Sequence, residues 1–134
     1  MSERLGIHIA QTLSADAAVT AIVGTQILPV VVVSEKDVPV LPLIRYEYEV
    51  TGVEYDKDGE HEDTCAATID CVAKTWEAAV ALVAAARHAL ELVTADYDGW
   101  AVTSAEVAGV RFDYDMKVDA YVATLTMSYT TQNV

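Results

Sequence analysis

The chain has 134 residues, of which 53% are hydrophobic and 22% are charged, a composition typical of a folded domain and not of a disordered segment. Eight Lys and Arg against 21 Asp and Glu give a formal net charge of −13. Nucleic acids and anionic membranes both require a basic patch, so this balance argues against either partner. We expect one soluble domain over residues 1–134, made in the cytosol, with no nucleic-acid sequence recognition and no membrane.

Neither a membrane span nor a disulfide scaffold is indicated. The longest apolar runs, residues 27–33 and 78–86, are far shorter than the ~20 residues of a transmembrane helix, and the N-terminus lacks a signal-peptide pattern. Cys65 and Cys71 fall on one face of a predicted strand, roughly 20 Å apart, too far to bridge. We interpret both as small buried apolar residues.

The N-terminal part of the chain is predicted to be helical. Residues 4–13 carry apolar side chains at helical spacing. Ser14 and Asp16 can cap a second short helix that runs through Val23 and ends at Gly24. Residues 26–42 begin with an unbroken apolar run at 27–33 and contain three prolines, which indicates an edge strand or an extended connector.

Two long hairpins are predicted from alternating patterns. Residues 43–55 and 64–73 form the first, joined by a charged tip at residues 56–63. Residues 100–112 and 120–131 form the second, after a turn at 96–99 and with an acidic tip at 113–119. Both tips are predicted to be exposed.

A helix over residues 75–93 separates the hairpins, with Thr75 as its N-cap. The apolar residues of this helix extend around almost its whole circumference, so we expect other parts of the protein to pack against it on more than one side. The predicted fold class is α+β: an antiparallel sheet of about four strands, made of two long hairpins, with a long helix packed on one face and a helical N-terminus.

Catalytic and metal-binding patterns are weak. His8, His61 and His88 fall in three different predicted elements, and no glycine-rich phosphate loop or nucleophile elbow occurs. The first acidic tip invites a comparison with a calcium-binding loop, but Gly59 comes two residues too early for the EF-hand spacing. We therefore expect no enzyme activity and no cofactor, and we favour a solvated hairpin tip over a calcium site.

The order of the segments resembles the tail-completion or tail-terminator proteins of long-tailed bacteriophages and prophages. The residues that carry the resemblance are 14–24 followed by 27–29, then 41–46, then 68–73 leading into 75–79, and finally 110–115 with 120–125. Together these segments span nearly the whole chain.

The resemblance implies a structural role in the virion, at the head-proximal end of the tail, after assembly in the host cytoplasm. Such proteins form a ring, typically of six copies, that stops tube polymerisation and presents a surface to the head connector. The implied partners are further copies of the chain, the tail tube protein and the head–tail connector protein.

The contact residues that we predict lie on the two acidic tips. They are Glu54, Asp56, Asp58, Glu60, Glu62, Asp63, Asp113, Asp115, Lys117 and Asp119. Two alternatives remain open from the residues: a small-molecule-binding or enzymatic α+β domain that dimerises through its sheet, and an adaptor domain outside any virus.

Overall fold

A computed structural model describes residues 4–29, 40–57, 59 and 61–133. One curved sheet dominates this part of the chain. Its six strands are β1 (Ile27–Pro29), β2 (Leu43–Tyr55), β3 (His61–Ala73), β4 (Ala95–Tyr97), β5 (Trp100–Asp115) and β6 (Ala120–Asn133). The three helices are α1 (Leu5–Ala15), α2 (Ala17–Val23) and α3 (Trp76–Leu90).

The strand order across the sheet is β1-β2-β3-β6-β5-β4. Every pairing is antiparallel except that of β1 with β2, which is parallel. Both long hairpins therefore lie side by side, with β3 and β6 in the interior. As far as the structure describes them, the two edge strands have three residues each and pair with only part of β2 and β5.

Local sequence signals explain the helix boundaries. The Asp16 side chain accepts hydrogen bonds from the backbone N–H groups of Ala18 and Val19, and Gly24 ends α2 at φ +59°. The Thr75 hydroxyl accepts from the Ala78 N–H and begins α3. These caps satisfy backbone donors that a helix start leaves unpaired, and all three confirm the sequence prediction.

The main core lies between the helices and one face of the sheet, which we call the inner face. Leu5 and Ile9 of α1 and Leu82 of α3 are fully buried there. The inner face contributes Ile69 of β3 and Leu125 of β6. Burial of this apolar surface is the main force that holds the helices to the sheet.

The predicted fold class is wrong. The protein is mostly β: of the described residues, 53% are in strands and 29% in helices, and the sheet is a six-stranded mixed half-barrel with three short helices. The missing strands are β1 and β4. Three residues are too few for an alternating pattern to be recognised, and residues 96–99, predicted as a turn, include the end of β4.

Other predictions were closer to the structure. Both hairpins are confirmed, with β3 beginning at His61 and β5 continuing to Asp115. Cys65 and Cys71 are buried free thiols. Of the predicted edge segment, residues 27–29 form β1, whereas 30–39 lie outside the described residues. Among the described helices, none alone is long and apolar enough to span a membrane; α1 and α2 pass as a pair, bent by 86°.

Candidate functional site

The two acidic tips lie at opposite ends of the sheet. His61 and Asn133 are paired at one end, which we call the upper end, and Ala73 and Tyr121 are paired at the other, the lower end. Twelve register steps separate the two pairs, or about 40 Å along the strands. The upper tip (residues 54–63) follows β2, and the lower tip (residues 113–119) ends β5. The structure therefore separates the contact residues into two groups.

The upper tip carries a like-charge pair. Glu54 and Glu62 are exposed and lie directly opposite each other in the β2–β3 ladder, an arrangement that destabilises a sheet. Asp56 is exposed beside them, and Asp58 and Glu60 lie outside the described residues. Because the tip concentrates negative charge, it favours a partner that carries basic side chains.

Asp63 differs from the other predicted contact residues because it is buried, with 3% of its surface exposed. One of its carboxylate oxygens lies 3.8 Å from the His61 Nε2. It pairs in register with the buried Thr131. Asp63 thus lies on the inner face beneath the tip, which leaves contact with a partner to the exposed carboxylates.

The lower tip is held by its own side chains. The Asp115 carboxylate accepts a hydrogen bond from the Lys117 N–H at 2.9 Å, and the Tyr114 hydroxyl donates to the Asp119 carboxylate. Asp119 adopts a positive φ of 50°, a conformation that Asp tolerates better than most residues. Lys117 is exposed at the end of this turn. The lower tip is therefore a shaped turn that presents a cation.

The face of the sheet away from the helices, the outer face, is polar apart from a small buried apolar cluster of Leu43, Val72, Ala120 and Val122 at its lower end. At its lower end, Asp70 accepts hydrogen bonds from Arg45 at 3.1 Å and from the Thr124 hydroxyl at 2.9 Å. Arg111 pairs with Asp113 at 3.0 Å on the same face. These side chains line an open groove of about 580 Å³.

Aromatic side chains collect at the lower end of the inner face. Trp76 packs against Phe112, with ring centroids 4.8 Å apart, and Tyr114 packs against Tyr121 at 5.1 Å. Trp76 remains 49% exposed, Tyr114 47% and Phe112 38%. None of these aromatic residues was among the contact residues predicted from the sequence. Alternation along β5 was the signal that could have identified this cluster.

Titratable groups in the interior are arranged for stability. His8 is fully buried, and its Nδ1 lies 2.7 Å from the Tyr97 hydroxyl. Burial lowers the pKa of His8 and raises that of Tyr97, because low polarity disfavours the charged forms. Burial also raises the pKa of Cys71 to about 12. The thiol is consequently unreactive near neutral pH.

The histidines remain apart in the structure, on α1, β3 and α3 respectively. Within residues 4–29, 40–57, 59 and 61–133, no group of three or more His, Cys, Asp or Glu side chains is placed to hold a metal ion. The arrangement favours contact surfaces: two tips and an exposed aromatic cluster.

Comparison with known proteins gives a consistent result. The family model described as Tail completion protein gp17 matches residues 8–132. No curated protein matches the chain. Among solved structures, a chain of a virion of a native gene transfer agent particle is 19% identical, with a TM-score of 0.80; the match covers 96% of this chain and 95% of that chain.

The structural likeness shows a shared fold, and the family match extends over nearly the whole chain. It confirms the family to which the sequence was assigned by resemblance. The chain belongs to the tail completion protein gp17 family and is a structural protein of a phage-like tail.

Proposed function

We propose that this protein caps the head-proximal end of the tail tube, stops tube polymerisation at its set length and joins the tail to the head connector. In this role it acts as a ring of six copies and has no enzymatic activity. Its partners are the tube protein, the connector protein and its own copies.

One observation carries this proposal beyond family membership. The upper and lower tips lie at opposite ends of one sheet, about 40 Å apart along the strands. A protein that joins two assemblies needs two separate contact surfaces, and here each end of the sheet supplies one. The upper tip is strongly acidic, whereas the lower tip presents Lys117 on a fixed turn.

The two ends also differ in charge, which suits two different partners. Glu54 and Glu62 repel each other at the upper tip, and that repulsion is relieved when a basic surface binds. At the lower end, Arg45, Arg111 and Lys117 line one groove together with Asp70, Asp113 and Asp115. The upper end is therefore acidic, whereas the lower end carries charges of both signs.

Electron microscopy of particles made with and without this gene tests the proposal. Loss of the gene should give tubes of uncontrolled length that lack heads, and wild-type protein supplied in trans should restore normal particles. Normal-length, head-attached tails in the deletion strain would contradict the proposed function.

Variants at the tips test whether each end of the sheet contacts a different partner. Glu54→Lys with Glu62→Lys should impair one joint, and Lys117→Glu should impair the other, so the two particle defects should differ. Glu77→Lys, at an exposed position on α3, is the matched control and should leave particles normal. Identical particles from all three variants would contradict a contact role for the tips.

A further inference from the structure

A row of four residues crosses the outer face in the lower half of the sheet. Arg45 of β2 pairs in register with Asp70 of β3. In the same row, Asp70 pairs with Thr124 of β6, and Thr124 pairs with Arg111 of β5. The two arginines are separated by three strand spacings, or about 14 Å. The row therefore begins and ends with an arginine.

Both oxygens of the Asp70 carboxylate are bonded within this row. The Arg45 Nε donates to Oδ2 at 3.1 Å, and the Thr124 hydroxyl donates to Oδ1 at 2.9 Å. The Nε bond uses one of several N–H groups of the guanidinium. Within the part of the chain that the structure describes, Arg45 has no second carboxylate partner. Its terminal N–H groups can therefore bind a carboxylate from another molecule.

In both ion pairs near the row, the cation is more exposed than the anion. The Arg45 side chain is 41% exposed and that of Asp70 is 19% exposed. For the pair of Arg111 with Asp113, the values are 75% and 59%. Lys117 is exposed as well. Although charges of both signs are present, a molecule that approaches this surface therefore meets the positive groups first.

The row lies along the open groove of about 580 Å³ at the lower end of the outer face, which we call the lower groove. Its lining includes the buried Val122 and Met116, which is 85% exposed. Arginine and methionine are both enriched at protein–protein interfaces. The lower groove thus combines hydrogen-bond donors with apolar surface, as the central part of an interface does.

We propose that the lower groove binds an acidic segment of another tail protein, with one carboxylate on Arg111 and a second on Arg45. A guanidinium can bind a carboxylate through two parallel N–H···O bonds, which a lysine cannot do. Side chains four residues apart in an extended segment are separated by about 13 Å and point the same way. That spacing matches the distance between the two arginines, so the partner carries carboxylates at positions i and i+4.

Charge and position favour a different protein as the source of this segment. The chain has a net charge of −13, which repels a polyanion such as DNA as a whole. A second copy would have to supply its upper tip, the most acidic segment of the sequence, which the proposed function assigns to another partner. The inference deepens the proposed function. It rests on that function for the partner being a tail protein, but not for the chemistry of the lower groove.

Titration of the purified full-length chain with a peptide tests this chemistry. The probe is a pentapeptide with glutamate at both ends and valine and serine between them; the control peptide has glutamine at both ends. In NMR spectra, the glutamate peptide should shift the Nε–H signals of Arg45 and Arg111 and should bind about tenfold more tightly than the control. Equal binding of the two peptides would overturn the proposal. Inorganic phosphate is a third ligand, and binding as tight as that of the glutamate peptide would indicate a general anion site instead.

Variants of Arg111 locate the contact. Arg111→Gln should weaken binding of the glutamate peptide about tenfold, because one charge-assisted contact is lost. Arg111→Lys keeps the charge without the bidentate geometry and should lie between the two. Arg87→Gln is the matched control: it also breaks an exposed ion pair, with Glu91 at 2.9 Å, but Arg87 does not line the lower groove. Thermal unfolding checks that each variant folds. Unchanged binding by folded Arg111→Gln would refute the contact.

Particle assembly tests the identity of the partner. Arg111→Glu should reduce the yield of infectious particles, and Arg87→Glu should not. Second-site suppressors of Arg111→Glu should replace an acidic residue of another tail protein. A normal yield from Arg111→Glu, or suppressors that map to the upper tip of this chain, would contradict the proposed partner.

Failure of the lower groove is distinguishable from failure of the proposed function. If the groove does not bind carboxylates, the glutamate peptide has no advantage although the deletion strain still makes defective tails. If the proposed function is wrong, tails from the deletion strain are normal although the peptide binds and Arg111→Gln weakens its binding.

Discussion

The interior strands of the sheet and its outer strands differ in how their side chains are used. In β3 and β6, inner-face residues are buried almost throughout, from Cys65 to Ala73 and from Ala123 to Thr131. In β2 and β5, burial is confined to the part nearest the covered edge: Leu43 and Ile44 in β2, and Trp100, Val102 and Ala105 in β5.

This difference indicates that the two strands of one hairpin can serve different purposes. Each hairpin contributes one strand to the core, where packing determines stability. Its other strand leaves the core about halfway along and presents apolar and charged side chains to solvent. We therefore expect substitutions on the interior strands to affect folding, and substitutions of exposed side chains on β2 and β5 to affect contact with partners.

Leu125→Ala should give the largest loss of stability. Leu125 of β6 is fully buried, and truncation of a buried Leu leaves a cavity that lowers the free energy of unfolding by about 3 kcal/mol. Val110 of β5 lies directly opposite Leu125 in the ladder but is exposed. Val110→Ala is the matched control and should cost about 0.5 kcal/mol. Urea denaturation measures both values, and equal losses would contradict the contrast between the strands.

His8 is buried against the upper half of the interior strands. We expect it to make the free energy of unfolding depend on pH. Its ring lies 6.0 Å from that of Tyr129 of β6 and bonds to Tyr97, and its Nε2 has no hydrogen-bond partner among the described residues. Burial lowers the pKa of His8 below 6.5, so the unfolded chain binds this proton more readily than the folded chain. Stability should therefore fall as the pH decreases through 6.5.

The His8 contribution has an upper limit of about 1.4 kcal/mol per pH unit, which corresponds to one proton. His8→Gln should remove this part of the pH dependence between pH 7.5 and 5.5, even if it lowers overall stability. His88→Gln, at an exposed position on α3, should leave the pH profile unchanged. Thermal unfolding across this pH range measures the effect; an unaltered slope in His8→Gln would refute the assignment.

Sequence patterns predicted the long elements well because those elements have long periodic signals. β2 was predicted with its observed ends, and Asp16 and Thr75 were identified as caps from side-chain type and position. β1 was predicted only as an edge strand or an extended connector and β4 was missed, because each has three residues. Without them, neither the parallel pairing nor the mixed character of the sheet could be deduced.

The candidate site was harder to predict because it depends on register. The sequence indicated two acidic tips, but the strand order decides that they lie at opposite ends of the sheet. Composition alone placed Asp63 with the exposed carboxylates, whereas alternation directs it inward. The places where β1 and β4 pair with their neighbours depend on contacts between distant segments.

Asp70 of β3 and Asp113 of β5 give the smallest contrast between interior and outer strands. Both pair with an arginine, but Asp70 also accepts a hydrogen bond from the buried Thr124 hydroxyl. Asp70→Asn should lower the free energy of unfolding by about 1 kcal/mol, because it weakens charge-assisted hydrogen bonds in a partly buried site. Asp113→Asn should cost only about 0.3 kcal/mol, since its pair is solvent-exposed.

The salt dependence of the two destabilisations should distinguish Asp70 from Asp113 further. Raising the ionic strength screens exposed charges more than partly buried ones, so the effect of Asp113→Asn should vanish at high salt while most of that of Asp70→Asn persists. Chemical denaturation with urea, which adds no ions, measures both at low and high salt. If Asp113→Asn were the more destabilising change, the exposed end of β5 would itself be needed for folding, and its side chains would not be available chiefly for contact with a partner.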